Sequence, residues 1–479
     1  MMNTIVNEDK ITFKELEQKI FNYVCDLAVS MTQIMLEGYD KELHAERDTK
    51  RYRDKGCRKT TIKTVYGDVT YNRHVYETKT EEGQKAYIYL LDQSINMDRI
   101  GLLSTNLVEK VVSCVTENSY RVTADTITEN CRQSISHGGV WKIVQRLGER
   151  VVVEEDHLVQ EMNEDRLQPE SIIHVLFEEM DGVWLKMQGK NHKSMPKQEM
   201  KVSTIYEGID TDNPGRRVLK GKKTLAGMEK SAEFHEKREA QIRSLYDADE
   251  IEYRILNGDG GSWIKDPYEP ETIVQLDRFH IYQEIKRKIN KDKEAQKDVE
   301  ALFEAEMIDE LFEYLEMYIN SVDTDDGNDK RAKNARELYQ YLNNNREGLI
   351  PYQNRGINLP VLKEGLKYGT LGVQENQNCT VITMRMKGNR KRWSENGANN
   401  MAKLLYRKEN GELLETVNRY NEALIFKENI QEYIEILSAA KAPLKDGKGN
   451  AYVDVINTHV PMRDAVCTAG RKAMLQICL

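Results

Sequence analysis

Residues 171–290 carry several short β-type segments followed by strand–helix alternation, and this order restricts the fold more than any other feature of the chain. The predicted strands are 172–177, 201–206, 217–219, 251–256 and 273–276, with a predicted helix over 231–246. Strands first and strand–helix alternation afterwards predict an α/β domain with a mixed sheet.

Composition narrows the class of protein. The chain has 479 residues, 39% of them hydrophobic and 31% charged, and it contains no apolar run of the roughly 18 residues that a membrane span needs. Its first ten residues lack the apolar stretch of a secretory signal. The seven cysteines are scattered and never spaced as CxxC. This usage predicts reduced thiols in a bacterial cytoplasm and argues against a zinc ribbon.

The charge is segregated along the chain. A net charge of −9 is unfavourable for binding phosphates, yet residues 47–73 hold nine Lys and Arg against three acids. Residues 385–392 hold five basic residues and no acid. Basic patches on an acidic chain are compatible with DNA binding without establishing it.

The N-terminal part predicts one long helix and a hairpin. A capping box at Thr12 and Glu15 opens an apolar stripe that extends to about Leu36. This helix either packs on its own domain or pairs two subunits through a heptad-like seam. Residues 57–76 predict a β hairpin, in which Arg58 and Lys59 either lie on a DNA backbone or guard a sheet edge.

Residues 103–147 predict a helical, helix–turn–helix-like stretch. Its second helix is capped at Ser136, and Lys142, Gln145 and Arg146 are expected on the exposed face, where they would suit phosphates or base edges. Many helical pairs have this pattern without contacting DNA.

Two aspartates are expected where predicted strands end. Asp181 follows strand 172–177, with Gly182 expected to allow a tight turn beside it, and Asp259 is flanked by Gly258, Gly260 and Gly261. Glycines let the backbone bend and leave a carboxylate accessible to a bulky substrate. Strand ends in α/β sheets are common ligand sites.

A third acid opens the helix after strand 273–276. Asp277 is expected to cap this helix, and His280 lies one turn further on the same side. The pair either orients a phosphate or a metal-ligand carboxylate, or is a plain helix cap beside a surface histidine. Carboxylates from separate elements suit two-metal phosphodiester chemistry, and hard Mg²⁺ requires oxygen ligands.

The motifs MDGVW, NGDGGSWI, LDRFH, GVQE, RMKG and RWSENGA occur in an order that resembles the DDE transposases of insertion sequences. The chain is most similar to the ISLre-type family, which is related to the IS256-like and Mutator-like superfamily. The resemblance covers about residues 57–405. It implies DNA cleavage and strand transfer at element ends by an RNase H-like domain, with Mg²⁺ as cofactor (Mn²⁺ substituting) and a nucleoid location.

The resemblance also implies roles for individual residues. Asp181 on the first strand and Asp259 on the fourth match the two metal-binding aspartates, and Asp277 and His280 match the superfamily signature of Cys or Asp, two residues, then His. Glu375 fits the third metal ligand and catalytic acid, with Glu395 as the alternative. The basic residues Arg385, Lys387, Arg390, Lys391 and Arg392 would contact the DNA backbone, or form a solvated loop.

The expected architecture is an α/β protein with an RNase H-like mixed-sheet catalytic domain, an all-helical insertion, and a mainly helical DNA-binding region with a small β hairpin in front. The expected segments are 1–45, 46–100, 101–165, 166–290, 291–360 (insertion), 361–407 and 408–479. Partners would be the terminal repeats, target DNA and a second copy of the chain. The alternatives are a catalytically retired DNA-binding regulator and an RNase H-like nuclease or resolvase without transposition.

Overall fold

The computed structural model describes residues 11–80, 83–95, 103–189, 196–212, 215–264, 272–323 and 330–418. It begins with one long helix, α1 (Phe13–Glu46), and both hydrogen bonds of the predicted capping box between Thr12 and Glu15 are present. The helix extends ten residues past the predicted end because Tyr39 and Leu43 continue its apolar stripe onto the hairpin. Phe13 and Val24, in its first half, are exposed, so the two predicted uses of this helix both stay open.

The predicted hairpin is confirmed. Strands β1 (Arg53–Thr64) and β2 (Gly67–Lys79) pair in an antiparallel way, and β3 (Lys85–Ile88) adds a third strand. The helices that follow are α2 (Leu90–Ser94), α3 (Thr105–Val115), α4 (Tyr120–Asn130) and α5 (His137–Asn163). Ser136 caps α5 as predicted, but Gln145 is buried and accepts a hydrogen bond from Asn400, which corrects its predicted exposure.

The central element is a five-stranded mixed sheet. Its strands are β4 (Val175–Leu185), β5 (Gln198–Tyr206), β8 (Lys223–Gly227), β9 (Tyr253–Gly258) and β10 (Ile273–Leu276). The order is β10-β9-β4-β5-β8, with β9 and β10 parallel to β4 and β5 antiparallel to both of its neighbours. Short strands β6 (Gly208–Asp210), β7 (Leu219–Lys220) and β11 (Leu366–Lys367) form a separate small sheet. The predicted α/β class with a mixed sheet is confirmed.

Helices surround this sheet. α6 (Ser231–Leu245) connects β8 to β9, and α7 (Arg278–Lys288), α8 (Lys293–Glu304), α9 (Ile308–Val322) and α10 (Lys330–Asn344) follow β10. A helical run over 374–386 consists of α11 (Gln374–Gln377), a π-helical segment (Asn378–Thr383) and α12 (Met384–Met386). α13 (Glu395–Glu409) and α14 (Leu413–Asn418) complete the described chain. Among the described helices none is long and apolar enough to cross a membrane.

Two hydrophobic cores organise these elements. The larger core joins α3, α4 and α5 to one face of the five-stranded sheet, the 374–386 helix and α13. The predicted boundary at residue 165 therefore does not separate two independent cores. The second core joins α7–α10 to Leu276 of β10 and to Leu349, so it begins before residue 291, the predicted start of the helical segment.

Helices α5 and α13 approach each other closely at Gly148. A Cβ built on Gly148 would lie 2.4 Å from the Cβ and 2.5 Å from the Cα of Asn400. Because the obstruction includes backbone, Gly148→Ala should lower the free energy of unfolding by at least about 1–3 kcal/mol, the usual cost of overpacking. Gly138→Ala, in the first turn of the same helix, meets nothing closer than 3.8 Å and serves as the matched control. Equal denaturant midpoints for the two variants would contradict this packing.

Candidate active site

Three parallel strands bring three aspartates to the same level of the sheet. Met180 on β4 is in register with Gly258 on β9, and Gly258 is in register with Leu276 on β10. The next residue along the chain after each of these three positions is an aspartate: Asp181 within β4, Asp259 just after β9 and Asp277 just after β10. Neighbouring strands lie about 4.8 Å apart, so the register alone places these carboxylates side by side.

Asp181 lies within β4 and not after a strand end, which corrects the predicted tight turn at Gly182. Strand β4 continues to Leu185 paired with β5, whereas β9 ends at Gly258. Asp181 therefore stands at the step where β4 loses its parallel neighbour. Its Oδ1 accepts a 2.7 Å hydrogen bond from the Gly182 N–H and its Oδ2 a 2.6 Å bond from the Asn378 amide.

Asp259 lies at the mouth of an open cleft. The cleft has a volume of about 370 Å³ and is lined by Asp259, Gly260, Gly261, His280, Glu284, Arg287, Lys288, Glu337 and Tyr341. The Gly261 N–H donates to Asp259 Oδ1 at 2.7 Å, and Tyr341 of α10 donates to its backbone carbonyl at 2.9 Å. The helical segment thus holds the loop that carries Asp259. Burial, and then the charge of Asp181, raise the pKa of Asp259, although Gly261 and His280 oppose them.

Asp277 caps its helix as predicted, and His280 contacts Asp181. Asp277 Oδ1 accepts from the Phe279 N–H at 2.7 Å, which caps α7, and Oδ2 accepts from the Asn257 amide at 2.7 Å. His280 Nε2 lies 3.5 Å from Asp181 Oδ2. The alternative of a plain surface histidine is excluded, because His280 is half-buried and faces the aspartates.

His280 should titrate far above an ordinary histidine in metal-free protein. Burial opposes its charge, but the bond to Asp181 and the charges of Asp277 and Asp259 outweigh burial and raise its pKa from 6.5 to about 9. Because the folded-state pKa is raised, the protonated ring stabilises the fold fully below pH 6.5, and this stability is lost as the pH rises through about 9. NMR titration of the ring in EDTA measures this pKa. Asp181→Asn should lower it, and a midpoint near 6.5 in the wild type would contradict the contact.

A buried polar layer beneath the aspartates fixes the 374–386 helix. Glu179 is fully buried, and burial raises its pKa despite its hydrogen bonds. It accepts from the backbone N–H groups of Gly372, Val373 and Gln374 at 2.9–3.2 Å and from Asn257 at 3.1 Å. These bonds attach the start of this helix to β4 at Glu179, which lies two residues before Asp181 on the same face of the strand.

Glu375 is exposed in the first turn of that helix, and within the described residues it makes no hydrogen bond or ion pair with Asp181 or Asp259. The residue that touches Asp181 is Asn378, three positions later and therefore one turn away on the same side. Glu375 is the only carboxylate in the 374–386 helix. A π-helical segment begins at Asn378, and such segments occur frequently at functional sites.

Glu199 is a carboxylate near the aspartates that the sequence analysis missed. It lies on β5 opposite Trp184, and its Oε1 would be 2.0 Å from a Cβ on Gly182. Gly182 therefore provides room for Glu199. Burial raises the pKa of Glu199, Lys201 opposes this, and the charges of Asp259 and Asp181 raise it further. Only the strand register reveals this neighbour, since no local motif marks it.

The basic run divides into a buried and an exposed part. Arg385 is 4% exposed, donates to the Val115 carbonyl at 2.7 Å and packs against Tyr120 and Trp393, so the expected phosphate contact of this side chain is wrong. Burial also lowers its pKa. Lys391 donates to the Arg385 carbonyl.

The exposed part of the run lies beside the end of β4. Lys387, Arg390 and Arg392 are exposed. The chain at Trp393 pairs with residues 186–188, just past β4. These three cations remain candidates for backbone contacts with DNA.

The remaining predicted residues are all exposed. Glu395 is exposed in the first turn of α13, next to the cap Ser394, where a negative charge is favourable for the helix. The cations predicted to bind DNA in the N-terminal half are all exposed: Arg58, Lys59, Lys142 and Arg146.

Comparison with known proteins places the chain in a family. A family model described as "Uncharacterised protein family (UPF0236)" matches residues 6–422, and the chain belongs to this family. A UPF0236 protein in the vanSb 3′ region of Streptococcus gallolyticus is 24% identical over 406 residues, which cover 83% of each chain. A UPF0236 protein of Caldanaerobacter subterraneus subsp. tengcongensis is 25% identical over 429 residues, covering 87% of this chain and 82% of the relative. The name of the latter combines eleven gene labels.

Proposed function

We propose that this protein is a DDE-type transposase that cleaves DNA at the ends of an insertion sequence and joins them to target DNA, with Mg²⁺ as cofactor. The observation that carries the proposal is the alignment of Asp181, Asp259 and Asp277 across three parallel strands, with His280 against Asp181. Several carboxylates at neighbouring positions of one sheet suit the binding of divalent ions for phosphodiester cleavage.

The sheet topology supports an RNase H-like domain as the proposed fold. Counted along the chain, the first aspartate lies on the first strand of the five-stranded sheet and the second follows the fourth strand. This is the arrangement that the resemblance to DDE transposases implies. The helical segment α7–α10 precedes the helix that carries Glu375, again in the implied order.

The donor set fits a hard cation. Asp181 and Asp259 are close enough to raise the pKa of Asp259, so a cation between them would relieve repulsion as well as bind. Bound Mg²⁺ would activate the attacking oxygen and stabilise the leaving oxygen of the phosphodiester. In the protein itself, Asn378 and Gly182 hold the Asp181 carboxylate, and Gly261 holds that of Asp259. Protonated His280 would interact favourably with a phosphate in the cleft.

Two glutamates compete for the third acid of the proposed site. Glu375 is favoured by its place on the helix that touches Asp181 through Asn378, and Glu199 by the charges of Asp259 and Asp181, which act on its carboxyl group. We assign the role to Glu375. DNA cleavage by Glu375→Gln and by Glu199→Gln distinguishes them: loss in the first variant alone supports the assignment, and loss in the second alone transfers it to Glu199.

The relatives' names offer independent support. The name of one relative combines eleven gene labels of a single organism, and the name of another combines four. One protein encoded at many places in a genome is the result expected of an element that copies or moves itself. The same function in this chain is our proposal.

A mobilisation assay in bacteria tests the proposal. One plasmid supplies the protein, and a second carries a resistance marker between the DNA segments that flank its gene. We expect the marker to appear at new genomic positions only with wild-type protein and intact flanks. Binding of the flanks without movement of the marker would favour a DNA-binding regulator, and cleavage of branched DNA irrespective of flank sequence would favour a resolvase.

A further inference from the structure

Potential metal ligands from three elements meet beside the N-terminal hairpin, in a part of the molecule that the proposed transposase chemistry does not use. They are His44 on α1, Asp54 on β1 and His74 on β2. One possible ligand atom from each lies within 4.8 Å of the others. The two imidazole rings are stacked, with 4.1 Å between their centroids.

A β-bulge adds a fourth candidate, Cys57, although its Sγ is not among the ligand atoms that lie within 4.8 Å of one another. Asp54 pairs with Tyr76 and Cys57 with His74, so β1 has two residues where β2 has one. Two positions three residues apart on a regular strand would face opposite sides, and the extra residue places both Asp54 and Cys57 on the His74 side. Gly56, at φ 84°, supplies the backbone conformation that the bulge needs. The Cβ atoms of directly opposed residues lie about 4.5–5.5 Å apart, within reach of a shared ion.

The polar groups around the cluster are arranged as they are around bound metals. Asp40 is 3% exposed, and its Oδ2 lies 2.6 Å from Nδ1 of His74, which leaves Nε2 for a metal. A buried carboxylate bound to the other ring nitrogen is the usual partner of a metal-binding histidine. Nδ1 of His44 similarly lies 3.2 Å from the Tyr76 hydroxyl. The Gly56 N–H occupies Oδ1 of Asp54 at 2.9 Å, which leaves its Oδ2.

We propose that His44, Asp54 and His74 bind Zn²⁺ and that a change of side-chain rotamer brings the Cys57 thiolate in as the fourth ligand. Imidazole nitrogens and a thiolate suit zinc, whereas Mg²⁺ requires oxygen ligands and is disfavoured here. Four protein ligands leave no open position, which is typical of a structural site. The ion would tie α1 to the β1–β2 hairpin and fix the hairpin that carries the exposed Arg58 and Lys59. This site could not be predicted from the sequence, because its cysteine and histidines lack the spacing of a zinc motif.

Zinc binding by the full chain tests the site. After removal of metal with EDTA, the protein is titrated with Zn²⁺ in competition with a chromogenic chelator. We expect one tightly bound Zn²⁺ per chain. His44→Gln or His74→Gln should weaken it more than about 100-fold, and Asp40→Asn by about 10–100-fold, the usual effect of an outer partner. The matched control is His157→Gln, which removes an exposed histidine beside Glu161 and should leave binding unchanged.

Two further measurements keep the test decisive if a histidine variant misfolds. Asp54→Asn and Cys57→Ser change exposed side chains, and both should weaken Zn²⁺ binding. With Co²⁺ as the probe, the wild type should show a near-ultraviolet thiolate charge-transfer band that Cys57→Ser lacks. Wild-type protein without tight Zn²⁺ binding would overturn the proposal. So would Zn²⁺ binding that survives the hairpin variants but is lost in Asp181→Asn or Asp259→Asn.

Discussion

Asp259→Asn should reduce metal-dependent DNA cleavage by more than about 100-fold, because even outer partners of metal ligands contribute 10–100-fold. The same change should leave the melting temperature unchanged or raise it. Burial and the charge of Asp181 raise the pKa of Asp259, so its negative charge destabilises the folded protein near neutral pH. Replacing that carboxylate with an isosteric amide removes the repulsion together with the ligand. Cleavage and thermal unfolding, measured on one preparation, check both parts.

The matched control for this variant is Asp125→Asn, which changes an exposed aspartate on α4. It should alter neither cleavage nor stability. An Asp259→Asn protein that retains wild-type cleavage would remove Asp259 from the site. A variant that loses cleavage together with several degrees of melting temperature would show that its effect is structural.

Lys403→Met should be among the most destabilising substitutions in the described chain. Lys403 is fully buried, with Nζ 2.6 Å from Glu229, 2.9 Å from Glu155 and 3.2 Å from the Ala226 carbonyl. These bonds join α13 to α5 and to the end of β8. Removing one partner of a buried ion pair typically costs about 3–5 kcal/mol, because the remaining charges lose their compensation. Denaturant unfolding measures the loss.

Two comparisons isolate the cause of that loss. Lys408 lies on the same helix as Lys403 and forms an exposed ion pair with Glu117. Lys408→Met breaks this pair and should lower the free energy of unfolding by no more than about 1 kcal/mol. Burial raises the pKa of Glu229, but Lys403 and Lys237 outweigh it and hold that pKa below its ordinary value. Adding Glu229→Gln to Lys403→Met should therefore recover part of the stability. Equal losses for Lys403→Met and Lys408→Met would contradict the buried network.

The aspartates could be found from the sequence because their signals are local. The predicted strands 251–256 and 273–276 correspond to β9 and β10, which end one residue before Asp259 and Asp277. For Asp181 the predicted local structure was wrong. MDG reads as a turn, but pairing with β5 extends the strand through Gly182.

The residues that the sequence did not place depend on contacts between distant segments. Arg385 resembles its basic neighbours in the sequence, and only Tyr120 and the Val115 carbonyl, brought close by the fold, bury it. A regular α-helix would put Glu375 and Arg385 on one face, but the π-helical segment from Asn378 changes the phase between them. Glu199 approaches the aspartates through strand register, which one sequence does not reveal.

The most direct test of the central claim is cleavage of a labelled DNA that carries the flanking ends of the gene. Wild-type protein is compared with Glu375→Gln, in Mg²⁺ and in EDTA, with the products mapped to the nucleotide. The account predicts 3′-hydroxyl ends at the element boundary for the wild type in Mg²⁺ alone, and none for Glu375→Gln. Wild-type protein that binds these ends without cutting them in Mg²⁺ or Mn²⁺ would contradict it.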